Sequence, residues 1–193
     1  MIRAVVFDYY SVFRPDSYET FIEKAKELSA QERQLIQDEI NNYYLGVSDI
    51  FKLIDAIQII FKTRSIPVTQ LMIDHLSIPE SFVKLTKELH EHFYKVSIAG
   101  NIGSQEVEYL NRFNNQTKQF DIIAGPLNYG QPLLTEGFFE SFLNELGEPP
   151  QNCLVISGHE NYIDFCNKIG IRTYSYKNFD QLSSDVFQIL GIN

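Results

Sequence analysis

Basic residues are in short supply in this chain of 193 residues: 16 Lys and Arg stand against 25 Asp and Glu, a formal charge of −9. No basic stripe is available to release counterions from a nucleic acid or to grip an anionic lipid surface, so nucleic acid and membrane are excluded as general partners. A local site can still oppose the net charge, which leaves a small phosphorylated molecule open as a ligand. Cysteine is equally scarce. Cys153 and Cys166 are too few for a disulfide framework, and each sits in an apolar pattern that reads as core. No apolar run approaches the roughly 20 residues a membrane helix needs, and the first residues carry no signal-peptide pattern. The expected location is cytoplasmic.

What the chain has instead is a series of short apolar runs with β-branched content, at residues 4–7, 96–99, 121–124, 154–156 and 171–174. Helical patterns at 104–113, 135–146, 161–169 and 179–190 fall between and after the last four. This alternation predicts an α/β fold, a Rossmann-like doubly wound parallel sheet of five strands at about 3–8, 95–100, 120–124, 153–157 and 171–175. The long gap after the first strand breaks the rhythm. Residues 16–80 hold no convincing strand and read as a helical insert. Tyr18, Phe21, Ile22, Ala25 and Leu28 share one helical face there, and Ile50, Leu53, Ile54, Ile57, Ile60 and Phe61 share another.

The chemistry-bearing residue at the head of the chain is Asp8, in VVFDYYSVF. An aspartate at the carboxyl end of a first strand stands where open α/β sheets do their chemistry. The later segments IAGNIGS, YGQPLL and LVISGHEN follow in an order that resembles the haloacid dehalogenase (HAD) superfamily. Within it the chain looks most like the phosphatases with a helical cap that include the N-terminal domain of soluble epoxide hydrolases. The resemblance implies strand order 5-4-1-2-3, a core formed by residues 1–15 and 81–193, and a cap at 16–80 over the carboxyl ends of the strands.

It also implies four stations of phosphoryl chemistry, each of which departs from the family pattern here. Asp8 matches the nucleophile, and Tyr10 occupies the place of the acid that protonates the leaving oxygen. Gly100, followed by Asn101, stands where a Ser or Thr hydroxyl is expected. Gln131 replaces the lysine that neutralises the phosphate, and a neutral amide is a poor substitute for a cation. Ser157 and Gly158 fill the places of the acids that hold Mg²⁺ together with Asp8, with Glu160 a further candidate ligand nearby. If the chain is active, the implied cofactor is magnesium. Otherwise none is expected.

The residues also admit plainer readings. Asp8 can be a structural carboxylate that accepts local hydrogen bonds. His159, Glu160 and Asn161 read either as metal ligands or as the capped start of a helix, and the glycine-bearing loop GNIGS as an anion cradle or an ordinary turn. His75, His90 and His92 lie on polar stretches, the last two splayed to different faces. Tyr9, Tyr10, Phe13, Tyr43 and Tyr44 either line a closed cleft or pack a core. Two functions follow. One is a HAD-like protein with a degenerate phosphatase site, acting through a small phosphorylated molecule or a protein partner. The alternative is an active hydrolase using Asp8, with Asn101 and Gln131 as donors and His159 as acid or base.

Overall fold

The computed structural model describes residues 1–13, 28–61, 77–114 and 116–192. In chain order the elements are β1 (Ala4–Phe7), a π-helical turn (Tyr9–Phe13), α1 (Ala30–Tyr44), α2 (Ile50–Phe61), α3 (Glu80–Glu91), β2 (Lys95–Ala99) and α4 (Ser104–Asn114). There follow β3 (Ile123–Ala124), the short α5 (Pro126–Tyr129), α6 (Glu136–Leu146), β4 (Cys153–Ser157), α7 (Glu160–Lys168), β5 (Arg172–Ser175) and α8 (Phe179–Leu190).

The five strands form one parallel sheet in the order β3-β2-β1-β4-β5, which is the order the family resemblance implies, read from the other edge. β1 is central. Its register pairs Ala4 with Lys95 and Cys153, and Phe7 with Ile98 and Ile156. Alternation along β1 then divides the core: Val5 and Phe7 face the side of α3, α4 and α8, while Ala4 and Val6 face α6 and α7. Cys153 and Cys166 are both buried on the latter side, as their apolar surroundings predict.

β3 is shorter than the expected 120–124. The Val96 N–H donates to the Asp121 carboxylate at 2.7 Å while the Asp121 N–H donates to Val96 O, so a side chain replaces a backbone carbonyl and regular pairing starts only at Ile123. Among the described residues between β1 and β2, α1 opens on a reciprocal cap, Ser29 with Glu32. α2 buries Leu53, Ile54 and Ile57, with Ile50, Ile60 and Phe61 packed beside them, which is the face the periodicity predicts. Tyr18, Phe21, Ile22, Ala25 and His75 lie outside the described residues.

The aromatic cluster is core packing. Tyr9, Tyr10, Phe13, Tyr43 and Tyr44 are all buried. Phe13 meets Phe7 and Phe82 at ring centroid distances of 5.6 Å and 4.9 Å, and Tyr10 meets Tyr44 at 6.0 Å. These rings carry the end of α1 onto the carboxyl ends of β1 and β2.

Candidate active site

Asp8 is the first residue beyond β1, and its N–H donates to Ile156 O of the neighbouring β4 at 2.9 Å. The backbone therefore holds the carboxylate at the carboxyl edge of the two central strands, the position from which open parallel sheets act. The side chain is closed in, at 2 % exposure. The wide π-turn that follows brings Ser11 back over it. Three groups converge on Oδ2: Ser11 Oγ and Ser157 Oγ donate to it, the latter at 2.7 Å, and His159 Nδ1 lies 3.3 Å away. Both hydroxyls are held from behind. The Gly158 N–H donates to Ser11 Oγ at 2.8 Å, and the His159 N–H to Ser157 Oγ at 3.0 Å. With both hydroxyl protons directed at Oδ2, this lattice engages one of the two carboxylate oxygens.

The other carboxylate oxygen faces Gly100. A Cβ at position 100 would stand 2.7 Å from Tyr9 N, 2.9 Å from Tyr9 Cβ and 3.4 Å from Asp8 Oδ1. Only glycine fits that approach. A hydroxyl-bearing side chain at this position requires the Tyr9 backbone to move.

The remaining sequence candidates are distributed differently. Ser157 and Gly158 belong to the Asp8 lattice. Tyr10 turns away from Asp8 and donates its hydroxyl to Glu106 at 2.7 Å. Asn101 lines a cavity of about 290 Å³ at the end of α1, together with Asn41, Tyr44, Leu45, Pro132 and Leu133. Gln131 is exposed, with its side chain lying over Gly137 at the start of α6, and it makes no hydrogen bond to Asp8. Glu160 is exposed in the first turn of α7. Sequence reasoning missed Ser11 and Glu106. The signals were present: a hydroxyl three residues past Asp8 in DYYS, and an acid three residues past Gly103 at a helix start.

The buried charge is felt nearby. Burial pushes the Cys166 thiol and the Tyr162 phenol up, and the negative charge of Asp8 adds to both shifts. Tyr162 answers its burial by donating to Ala99 O at 2.6 Å. Burial also pushes the Cys153 thiol up to about 12, so neither cysteine is a nucleophile at neutral pH.

Magnesium requires oxygen ligands in near-octahedral array, usually one or two carboxylates with open lone pairs. Here Asp8 is the one carboxylate of its lattice, its Oδ2 is taken by three partners, and Ser157 presents a donated proton rather than a charge. Among the described residues no group of three or more His, Cys, Asp or Glu stands together to hold a metal. The donor set does not fit the ion.

The five-stranded parallel sheet with helices on both faces is the fold of solved HAD family hydrolases. Among solved structures, the chain is similar to a HAD family enzyme from Bacteroides thetaiotaomicron, at 16% identity over 96% of this chain and 98% of that one, with a TM-score of 0.72. It is similar also to a predicted HAD-like family hydrolase from Porphyromonas gingivalis, at 18% identity over 100% of both chains and a TM-score of 0.71. The Bacteroides enzyme in complex with magnesium and inorganic phosphate matches at 15% identity, over 92% of this chain and 95% of that one, with a TM-score of 0.67. The likeness at these identities is one of fold. No protein-family model matches the sequence, and no curated protein does.

Proposed function

We propose that this chain is a HAD-type protein whose phosphatase site has become a closed, hydrogen-bonded lattice, and that it acts by binding rather than by phosphoryl transfer. In this reading residues 1–15 and 81–193 are the core, residues 16–80 are a helical cap over the carboxyl ends of the strands, and the relationship is to the capped phosphatase branch. The ligand is a small phosphorylated molecule or a protein partner, and the setting is the cytoplasm. No described helix is long and apolar enough to cross a membrane.

The observation that carries the reading is the saturation of Asp8 Oδ2 by Ser11, Ser157 and His159. That oxygen is taken up by its three neighbours, Oδ1 faces the Gly100 backbone, and a phosphoryl group needs a cation to balance its charge. Gln131 supplies no charge, and Gly100 supplies no hydroxyl. Lost transition-state contacts of this kind cost about 2.7–4 kcal/mol singly, and they are not additive.

The test is an assay on common phosphomonoesters with Mg²⁺ present. No turnover above background is expected. Turnover of about 1 per second, within the ordinary enzyme range and abolished by Asp8→Asn, would sink the proposal. The second reading, an altered hydrolase, draws on the approach of His159 Nδ1 to Asp8, since a carboxylate that orients an imidazole is the frame of an acid–base pair. The same assay decides between the two.

A further inference from the structure

The amino edge of the sheet, opposite the edge that carries Asp8, holds an aromatic ring that the fold does not bury. α3 ends in a left-handed turn: the Tyr94 N–H donates to Leu89 O at 3.0 Å and the Phe93 N–H to His90 O at 2.9 Å, which puts Phe93 at φ 64°. Glycine is the residue this turn favours. Gly147 and Gly191 close α6 and α8 in left-handed conformations, and among the described residues Phe93 is the one residue other than glycine with a positive φ. The ring gains no burial in return, at 95 % exposure. Backbone strain and an apolar ring in water fall at the same position.

A groove of matching character lies beside it. α6 and the turn ahead of β4 enclose a cavity of about 590 Å³, with Phe139, Leu143 and Ile169 in its lining and Glu136, Glu140 and Glu148 around them. That volume is ample for an aromatic side chain. Lys95 joins the two features. It follows Phe93 by two residues, and its Nζ donates to Leu146 O at 2.6 Å and pairs with Glu148 at 3.4 Å. The ring and the groove therefore share one end of the molecule, and the ring, exposed as it is, does not enter its own groove. Their charges are complementary. Arg3, exposed in the lead to β1, accepts from the Lys95 N–H at 3.0 Å and so brings a cation next to Phe93. Glu136 and Glu140 stand exposed one turn apart on α6, like charges that repel each other and that an incoming cation relieves. The Asn152 amide, with Lys95 and Arg3 behind it, holds the Glu148 carboxyl below the usual carboxylate range, so this end of the groove stays ionised.

We infer that the chain pairs with a second copy across this end, the Phe93 ring of each copy seated in the α6 groove of the other, with Arg3 brought to the acidic rim around it. A surface that carries both the projecting group and its socket is self-complementary, so one two-fold rotation satisfies both copies at once. Seating the ring buries the apolar area that a single chain leaves in water. Pairing of this kind is independent of the state of the Asp8 site.

Sedimentation velocity on the full chain over a range of concentrations is the test. The parent is expected to pass from monomer to dimer by about 100 μM, the weak range of small interfaces. Phe93→Gly removes the ring and suits the backbone, so in dilute solution it should melt no lower than the parent. Its dissociation constant for pairing should rise at least about tenfold, the loss of one buried aromatic anchor. Glu140→Lys, at an exposed position, reverses a charge on the rim and should weaken pairing in the same direction. A parent that stays monomeric throughout overturns the inference. So does a Phe93→Gly dimer as tight as the parent's. If Phe93→Gly abolishes pairing while Glu140→Lys leaves it unchanged, the ring seats elsewhere, and the α6 groove is not its socket.

Discussion

Asp8→Ala lowers the stability of the native protein by about 2 kcal/mol, because the buried Ser157 hydroxyl and the half-buried Ser11 hydroxyl lose a charged acceptor and have only each other left. The direction of the effect is informative. In a working enzyme the active-site carboxylate is held at a cost to the fold, and its removal is commonly neutral or stabilising. Here the Ser11 and Ser157 hydroxyls point at Asp8, and each is held in turn by a backbone N–H, from Gly158 and His159. Taking away the carboxylate strands at least one of them, since the two Oγ atoms lie 3.2 Å apart and one can donate to the other. Chemical denaturation of parent and variant gives the difference directly. A variant as stable as the parent would mean that the lattice contributes nothing to the fold, and Asp8 would regain its standing as a functional rather than a structural group.

Ser157→Asp gives the second large effect. Ser157 is fully buried, with Oγ 2.7 Å from Asp8 Oδ2. An aspartate there replaces a donor by a second negative charge in contact with the first. Breaking a buried charge arrangement of this kind costs about 3–5 kcal/mol. Millimolar Mg²⁺ is expected to return part of that loss by binding between the two carboxylates, since a ligand that binds the native state raises its apparent stability. The parent should show no such rise. Thermal melts of both proteins with and without Mg²⁺ are the measurement, and a folded variant indifferent to Mg²⁺ would show that position 157 does not correspond to the family's metal acid. Gly158 is the poorer place for the same experiment, because a Cβ there would lie 3.3 Å from both Ser11 Cβ and Tyr176 O.

The sheet was legible in the sequence because each strand is a short apolar run between turn-forming residues, and buried parallel strands are written that way. The strand order was legible only through the order of the motifs. Side chains that compete with the backbone were harder to read. Asp121 takes the hydrogen bond of Val96 N–H and trims β3, which no pattern of hydrophobicity signals. At the site, Asp8, Ser157 and Gly158 were placed together from sequence. Ser11 was not, because its return to Asp8 depends on a π-turn rather than an α-turn. Tyr10 was assigned a place from the family resemblance, yet its hydroxyl goes to Glu106, 96 residues away in sequence, and a contact at that separation has no local signature.

The claim that the Asp8 lattice is closed to a phosphoryl group has one direct test: crystals soaked with Mg²⁺ and BeF₃⁻, the phosphate mimic that attaches to an aspartyl oxygen. The lattice predicts unchanged density at Asp8, with Ser11, Ser157 and His159 still turned to Oδ2. A tetrahedral adduct on Asp8 beside an octahedral cation, with the two serine hydroxyls displaced, would contradict it.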